Sequence, residues 1–286
     1  MTFDDDVAHG RLTFGQNEPG HGRGHYTHGH EAPVLAAHSR RTATNSAAYL
    51  LDHLYPGMNL LDVGFGPGTL TLDLAEKVAP GTVVGIENSQ APFATARANA
   101  AKRGNVTTRF EFADVLDLPY PEDSFDVVHA HQVLQHVSDP VRALREMARV
   151  CRPGGWVAAR DADYGAMSWY PDIPAVAEWR DVYRVIAMGN GGEPDAGRHM
   201  RAWANAAGLR NARITVTTWC YADAESCAWW GESQAQRVES ETFRREARDV
   251  GLDKDDVARL ARGWREWAKS QDAFFLIPHT EILAHP

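Results

Sequence analysis

The sequence predicts an α/β fold built on a doubly wound, mostly parallel sheet, and three observations carry that prediction. Short apolar runs rich in β-branched residues alternate with helix-length segments through the middle of the chain. The first run, Leu60-Leu61-Asp62-Val63, passes into Gly64-Phe65-Gly66-Pro67-Gly68 and then into a helix-compatible stretch from Leu70 to Lys77. Two later runs end in an acid, at Glu87 and at Asp114. Continuous apolar runs mark strands covered on both faces. The glycines let the backbone turn sharply and meet a ligand with no Cβ in the way.

Taken in order, residues 1–32 form a glycine- and histidine-rich arm that cannot build a core alone. Ala32 to Tyr55 reads as a helix with a partly apolar face, stopped by Pro56-Gly57. After the first strand and its helix come Val83-Val84-Gly85-Ile86-Glu87 and Thr108 to Ala113, the latter leading to Asp114-Val115. Asp123 to His131 reads as a fourth strand, and Arg152-Pro153-Gly154-Gly155 as a turn into a fifth at Trp156-Val157-Ala158-Ala159. Residues 162–192 are rich in aromatics, including Trp169 and Tyr170. A helix from Asp195 to Ala207 ends at Gly208, a C-cap glycine. Ile214 to Cys220 reads as a sixth strand and Ala273 to Leu283 as a seventh. Between them Val257, Leu260, Ala261, Trp264 and Trp267 recur at helical spacing. The chain thus divides into an arm (1–32), a core (33–221) that includes the aromatic segment (162–192), a helical insertion (222–270) and a final core strand (271–286).

Composition narrows the function. The 286 residues are 44% hydrophobic and 23% charged, as in a globular protein with a sizeable core. No apolar run approaches the length of a membrane span. The acidic start, Met1 to Asp6, lacks the apolar region of a signal peptide, so a cytoplasmic location is expected. With 38 acidic against 29 basic residues and a net charge of −9, a nucleic-acid partner is disfavoured. Cys151, Cys220 and Cys227 have no Cys-x-x-Cys spacing and suggest no disulfide framework. Six of the 13 histidines (His9, His21, His25, His28, His30, His38) sit in or near the arm, but no Cys pair or acidic ligand set accompanies them, so no metal site is expected.

The glycine turn offers two ligands. A nicotinamide cofactor wants Gly-x-Gly-x-x-Gly, whereas here the glycines stand at 64, 66 and 68 and Thr69 occupies the third-glycine position. Glu87 and Asp114 are each as well explained as helix-capping acids when taken alone. Together with the turn after Asp62 and the Pro-Gly-Gly turn, over residues 52–161, they resemble class I S-adenosylmethionine-dependent methyltransferases. The full length is similar to the ubiquinone/menaquinone-type branch. Tyr26-Thr27, Arg41-Thr42-Ala43 and the run from His129 to His136 resemble the gliotoxin bis-thiomethyltransferase group.

The resemblance implies a Rossmann-like, doubly wound, seven-stranded sheet with a helical lid at the carboxyl ends of its strands. It implies S-adenosyl-L-methionine as cofactor, held by Asp62, Gly64, Gly66 and Gly68. Glu87, followed by Asn88, would take the ribose hydroxyls, Asp114 the adenine amine, and Val115 would cover the ring. Tyr26, in the arm, would close over the methionine end. Phe65 departs from the small residue or Cys of relatives and is expected to point away from the cofactor.

His131 admits two readings of equal standing: a general base, since imidazole titrates near neutrality, or a backbone contact to the cofactor. Gln132, Trp169, Tyr170, Trp229 and Trp230 are the candidate acceptor pocket. Arg40 and Arg41 are cations nearby, a type more often found on a solvated face. Asp161 and Asp163 are more readily caps than bases. The implied activity is methylation of a small molecule, with S-methylation of a dithiol natural product as the narrower expectation. Alternatives are O- or C-methylation of a phenol or quinol, and a scaffold that binds the cofactor without transfer.

Overall fold

The computed structural model describes residues 40–286. Tyr26 and the rest of the arm lie outside the described residues. Five strands run parallel: β1 (Leu60–Val63), β2 (Val83–Glu87), β3 (Thr108–Phe112), β4 (Phe125–His131) and β5 (Cys151–Ala162). They lie in the order β3-β2-β1-β4-β5. The last strand, β8 (Phe274–Ala284), pairs antiparallel with β5 through residues 279–284. Its other edge carries β7 (Arg213–Tyr221), while its first residues pair with the short β6 (Ser168–Tyr170). Among the described residues the sheet therefore has eight strands, one more than the sequence suggests. The extra one, β6, lies in the aromatic segment and is too short to show a period.

Helices α1 (Ala43–Ser46), α2 (Ala48–Leu51) and α3 (Thr69–Val78) cover one face of the sheet, burying Leu50, Leu74 and Val78 on Leu60, Val127, Ala158 and Leu283. Helix α4 (Phe93–Lys102) flanks β3 at the edge. On the other face, α5 (Pro140–Val150) sets Leu144 and Met147, and α7 (Ala196–Ala206) sets Met200 and Ala204, against Val63, Val128, Ala159 and Ile282. Gly208 follows α7 at φ 96°, the left-handed stop expected of it.

A third core joins α6 (Pro174–Gly189) to the three helices between β7 and β8, namely α8 (Ala224–Val238), α9 (Glu241–Asp249) and α10 (Lys254–Trp267). Trp264 and Trp267 are fully buried there. Phe275 and Ile277 of β8 belong to the same cluster, so the cap and the sheet share residues.

Two sequence expectations need correction. The helix expected over 32–55, of which residues 32–39 lie outside the described residues, is interrupted at Ala47, whose φ is −139°. Thr42 and Asn45 form a reciprocal capping box that starts a fresh turn at Ala43, and the Ala43 N–H donates to Asp73. These local hydrogen bonds override the apolar period. The Arg152-Pro153-Gly154-Gly155 run is not a turn before β5 but an irregularity inside it. Phe125 pairs with Cys151 and Val127 with Trp156, so three residues on β4 oppose six on β5. Gly154 takes φ 76°, and a Cβ on Gly155 would stand 2.5 Å from the Asp126 carbonyl oxygen.

Trp264 packs edge-on against Trp179, with ring centroids 4.8 Å apart, and against Phe275 at 5.3 Å. Trp264→Ala is expected to cost about 3–5 kcal/mol. It should lower the melting temperature in one transition, because Phe275 ties the cap to the sheet. Two resolved calorimetric transitions would show instead that the cap unfolds separately.

Candidate active site

At the carboxyl end of β1 the Gly64 and Phe65 N–H groups donate to the Ile86 carbonyl at 2.8 and 3.2 Å, folding the turn back against β2. Gly64, Gly66 and Gly68 take φ of 74°, 50° and 79°. Their surroundings differ. A Cβ on Gly64 would sit 2.5 Å from Val133 Cγ2, and one on Gly68 would meet Ala96 at 3.0 Å, but one on Gly66 would have nothing within 4 Å. Gly66 thus presents bare backbone to open space. Phe65 packs into Phe93 and Phe110, with ring centroids 5.0 and 4.8 Å away.

Glu87 Oε1 accepts from the Gly66 N–H at 3.1 Å. Burial pushes its carboxyl up to about 7, against the pull of the Gly66 and Asn88 N–H groups. Asn88 and Asp114 are exposed, with Asp114 accepting from the Leu116 N–H at 2.9 Å, and Val115 is buried beside it. Asp62 does not face the open side of the turn, contrary to the expectation of a cofactor contact. It is 2% exposed, with one oxygen on His129 Nδ1 at 2.7 Å and the other accepting from the Thr71 hydroxyl at 2.5 Å. Both oxygens are taken, so the acid braces the strand end instead.

Next to the turn, the ends of β4, β5 and β8 carry a row of buried polar side chains on one face, set by register. His131 pairs with Arg160, and Arg160 with Glu281. His131 is 4% exposed, and neither ring nitrogen has a hydrogen-bond partner among the described residues. Burial, together with Arg41, Arg160, His279 and His129, holds its pKa well below the usual imidazole value. It is a neutral ring and a weak base.

Gln132 follows at φ 54° and donates its N–H to the Arg160 carbonyl at 2.7 Å. Its side-chain oxygen accepts from Arg41, and its Nε2 lies 2.8 Å from His279 Nε2. That contact requires an acceptor on His279 Nε2, which assigns the ring proton to Nδ1, 3.0 Å from the Ile277 carbonyl. Burial and the Arg160 and Arg41 charges favour the same neutral ring. Asp161 accepts from the Leu134 and Gln135 N–H groups and Asp163 from the Ala166 N–H, so both act as caps.

Beyond Gln132 a cavity of about 660 Å³ opens between β7, β8, α1 and α8. Trp219, Tyr221, Trp229 and Trp230 supply its aromatic walls. Arg40 stacks over Trp229 at 4.1 Å, so it belongs to this wall and not to a plain solvated face. Trp169 and Tyr170, expected in the acceptor pocket, do not line this cavity. Pairing of β6 with β8 turns Trp169 onto Phe275, at 5.9 Å between centroids, and leaves Tyr170 exposed at 58%. Arg160, Trp219, His279 and Glu281 escaped the sequence reading. Arg160 alone had a signal, since a charge within an apolar strand is a costly anomaly. Among the described residues no group of three or more acidic, His or Cys side chains is placed to hold a metal.

A family model described as a methyltransferase domain matches residues 54–225. The chain belongs to this methyltransferase family. An uncharacterized methyltransferase of Schizosaccharomyces pombe is 33% identical over 275 residues, covering 91% of this chain and 95% of its own. The 27-O-demethylrifamycin SV methyltransferase of Amycolatopsis mediterranei is 41% identical over 110 residues, 38% of this chain and 40% of its own. In fold, the YcgJ protein of Bacillus subtilis superposes with a TM-score of 0.53 at 18% identity, covering 87% of this chain and 99% of its own. The cofactor of this methyltransferase is S-adenosylmethionine. The bare backbone at Gly66 and the half-buried carboxyl of Glu87 beside it fit such a nucleoside. No helix among the described residues is long and apolar enough to cross a membrane.

The glycines separate stability from binding. Gly64→Ala collides with Val133 and should cost about 1–3 kcal/mol of stability. Gly66→Ala meets only the left-handed penalty, about 1–2 kcal/mol, yet its methyl fills the open space. Thermal melts should rank Gly64→Ala as the less stable. Calorimetry with S-adenosylhomocysteine should show Gly66→Ala losing affinity out of proportion to its stability.

Proposed function

We propose that this methyltransferase acts on a small molecule held in the cavity beside Trp219, and that its accepting atom ionises without a strong base, a thiol before any other. The neutral, weakly basic His131 carries this reading, because it is the titratable group at the end of β4 and burial has lowered its basicity. The volume of the cavity, about 660 Å³, is in the range of small-molecule sites. S-adenosylmethionine supplies a methyl group already activated on a sulfonium. The protein's task is to orient the acceptor and exclude water, which is worth on the order of 7–11 kcal/mol in favourable cases.

In this reading Glu87 takes the ribose hydroxyls, Asp114 the adenine amine, Val115 covers the ring, and Gly66 leaves room for the nucleoside. Gln132 ties Arg41 to His279 and so closes the segment before α1 onto the strand ends. A thiol, with a pKa of about 8.5, already offers a few per cent of thiolate at neutral pH. O-methylation, as of an acidic phenol, is the second reading; the Amycolatopsis relative, named for methylation at an oxygen, supports an oxygen acceptor.

Two experiments test these roles. Because the Glu87 carboxyl titrates at about 7, it is largely protonated at pH 6 and ionised at pH 8, and the ionised form accepts both hydroxyls. Affinity for S-adenosylhomocysteine should therefore rise up to about tenfold between pH 6 and 8. Glu87→Gln should flatten that rise, and an equally steep profile in the variant would remove Glu87 from the ribose. For the acceptor, His131→Gln assayed on a thiol panel should retain appreciable turnover, with a rate climbing toward the thiol's own pKa. A loss of roughly 10²–10⁴-fold with intact cofactor binding would instead make His131 a general base and sink the thiol reading.

A further inference from the structure

The cavity beside Trp219 differs in charge from the chain that encloses it. The chain carries a net charge of −9, yet the cavity is lined by Arg40, Arg41, Arg160 and Arg237 against one carboxylate, Glu281. That carboxylate is already engaged. Its Oε1 accepts from the Thr217 hydroxyl at 2.5 Å and from Arg160 Nε at 3.3 Å, and its Oε2 accepts from the Thr215 hydroxyl at 2.6 Å. These contacts occupy only the Nε edge of Arg160. Its two amino nitrogens are shielded from solvent and have no hydrogen-bond partner among the described residues, on a side chain 1% exposed. A guanidinium stays charged even when buried, and a buried donor left unpaired is costly.

We propose that the methyl acceptor is a ring-bearing acid whose carboxylate is received by the two amino groups of Arg160. The inference rests on the small-molecule reading above and deepens it to a substrate class. A planar guanidinium with two unused amino groups matches a carboxylate through paired, charge-assisted hydrogen bonds, which a neutral ligand cannot reproduce. The aromatic walls match the ring. Trp219 packs against the Arg160 guanidinium at 5.3 Å, and Tyr221 stacks on Trp230 at 4.4 Å with planes 9° apart, leaving flat apolar surface beside the charge. The position favours the acceptor over the cofactor as the source of the carboxylate. Arg160 is anchored to β7 and β8 through Thr217 and Glu281, whereas the glycine turn leaves β1, two strands away on the opposite side of β4.

The test uses the full chain saturated with S-adenosylhomocysteine, and 2-naphthoate and its neutral counterpart 2-naphthamide as probes in calorimetry. Wild type should bind the naphthoate at least tenfold more tightly, with a preference that shrinks as salt is raised. Arg160→Lys should lose most of that preference, and the Arg160→Met/Glu281→Gln double variant, which leaves no uncompensated buried charge, should lose all of it. Both variants should keep their affinity for S-adenosylhomocysteine. Equal binding of the two probes by wild type would overturn the proposal. So would a fall in S-adenosylhomocysteine affinity in the variants with methylthioadenosine affinity unchanged, since Arg160 would then hold the cofactor's own carboxylate. The readout is binding, so failure of the thiol reading, which appears only in turnover, remains distinguishable.

Discussion

The antiparallel strand β8 is the constraint on which the rest of the structure depends. Its first residues, Phe275 and Ile277, lie in the aromatic core of the cap, and its last, Ile282 to Ala284, lie in the cores on the two faces of the sheet. Between them His279 and Glu281 face the strand ends of β4 and β5 and form part of the polar row. One strand therefore registers the cap, the sheet and the site against each other. A one-residue slip would exchange its faces, sending Glu281 into the apolar layer. The alternating burial of apolar side chains on both sides makes that slip prohibitively costly.

The polar row itself is expensive to bury. Asp62 is matched by His129 and Thr71, and Glu281 by Thr215, Thr217 and one edge of Arg160. These pairs satisfy their own members and leave other polar atoms over. Among the described residues, the Tyr49 hydroxyl, His129 Nε2, both nitrogens of His131 and the amino groups of Arg160 have no hydrogen-bond partner. Buried polar atoms are nearly always hydrogen-bonded, and of these exceptions the Arg160 amino groups belong to a residue that lines the cavity.

Electrostatics then divides the site into two halves. On the side of β1 and β2 the charge is acidic, with Glu87 pushed up by burial and braced only by backbone N–H groups. On the side of β5, β7 and β8 it is basic, and the weakly basic His131 stands near the boundary. This division suits two ligands, one meeting carboxylates through its hydroxyls and amine, the other meeting guanidinium groups. It also accounts for the absence of an evident catalytic triad in the sequence, because a cofactor with its own activated methyl needs alignment more than proton transfer.

Residues near one another in the chain announced the proposed cofactor half. The spacing of Gly64, Gly66 and Gly68 after an apolar strand, the acid closing β2 and the acid after β3 all express backbone geometry, which local sequence dictates through positive φ, strand period and helix entry. The parallel sheet and the helices between its last strands were legible for the same reason. The acceptor half was not. Arg160, Trp219, His279 and Glu281 come from three strands separated by up to 121 positions, and they meet only because β8 lies antiparallel between β5 and β7. No local pattern says which face of β5 a lone arginine takes, that β6 draws Trp169 and Tyr170 away from the cavity, or that Asp62 spends its carboxylate on His129. The sequence by itself determined the turn and the succession of the strands, because each is written in neighbouring residues, and its resemblance to class I methyltransferases supplied the class of cofactor. The charge and shape of the cavity beside Trp219 were decided by strand pairing and burial, which bring distant residues together.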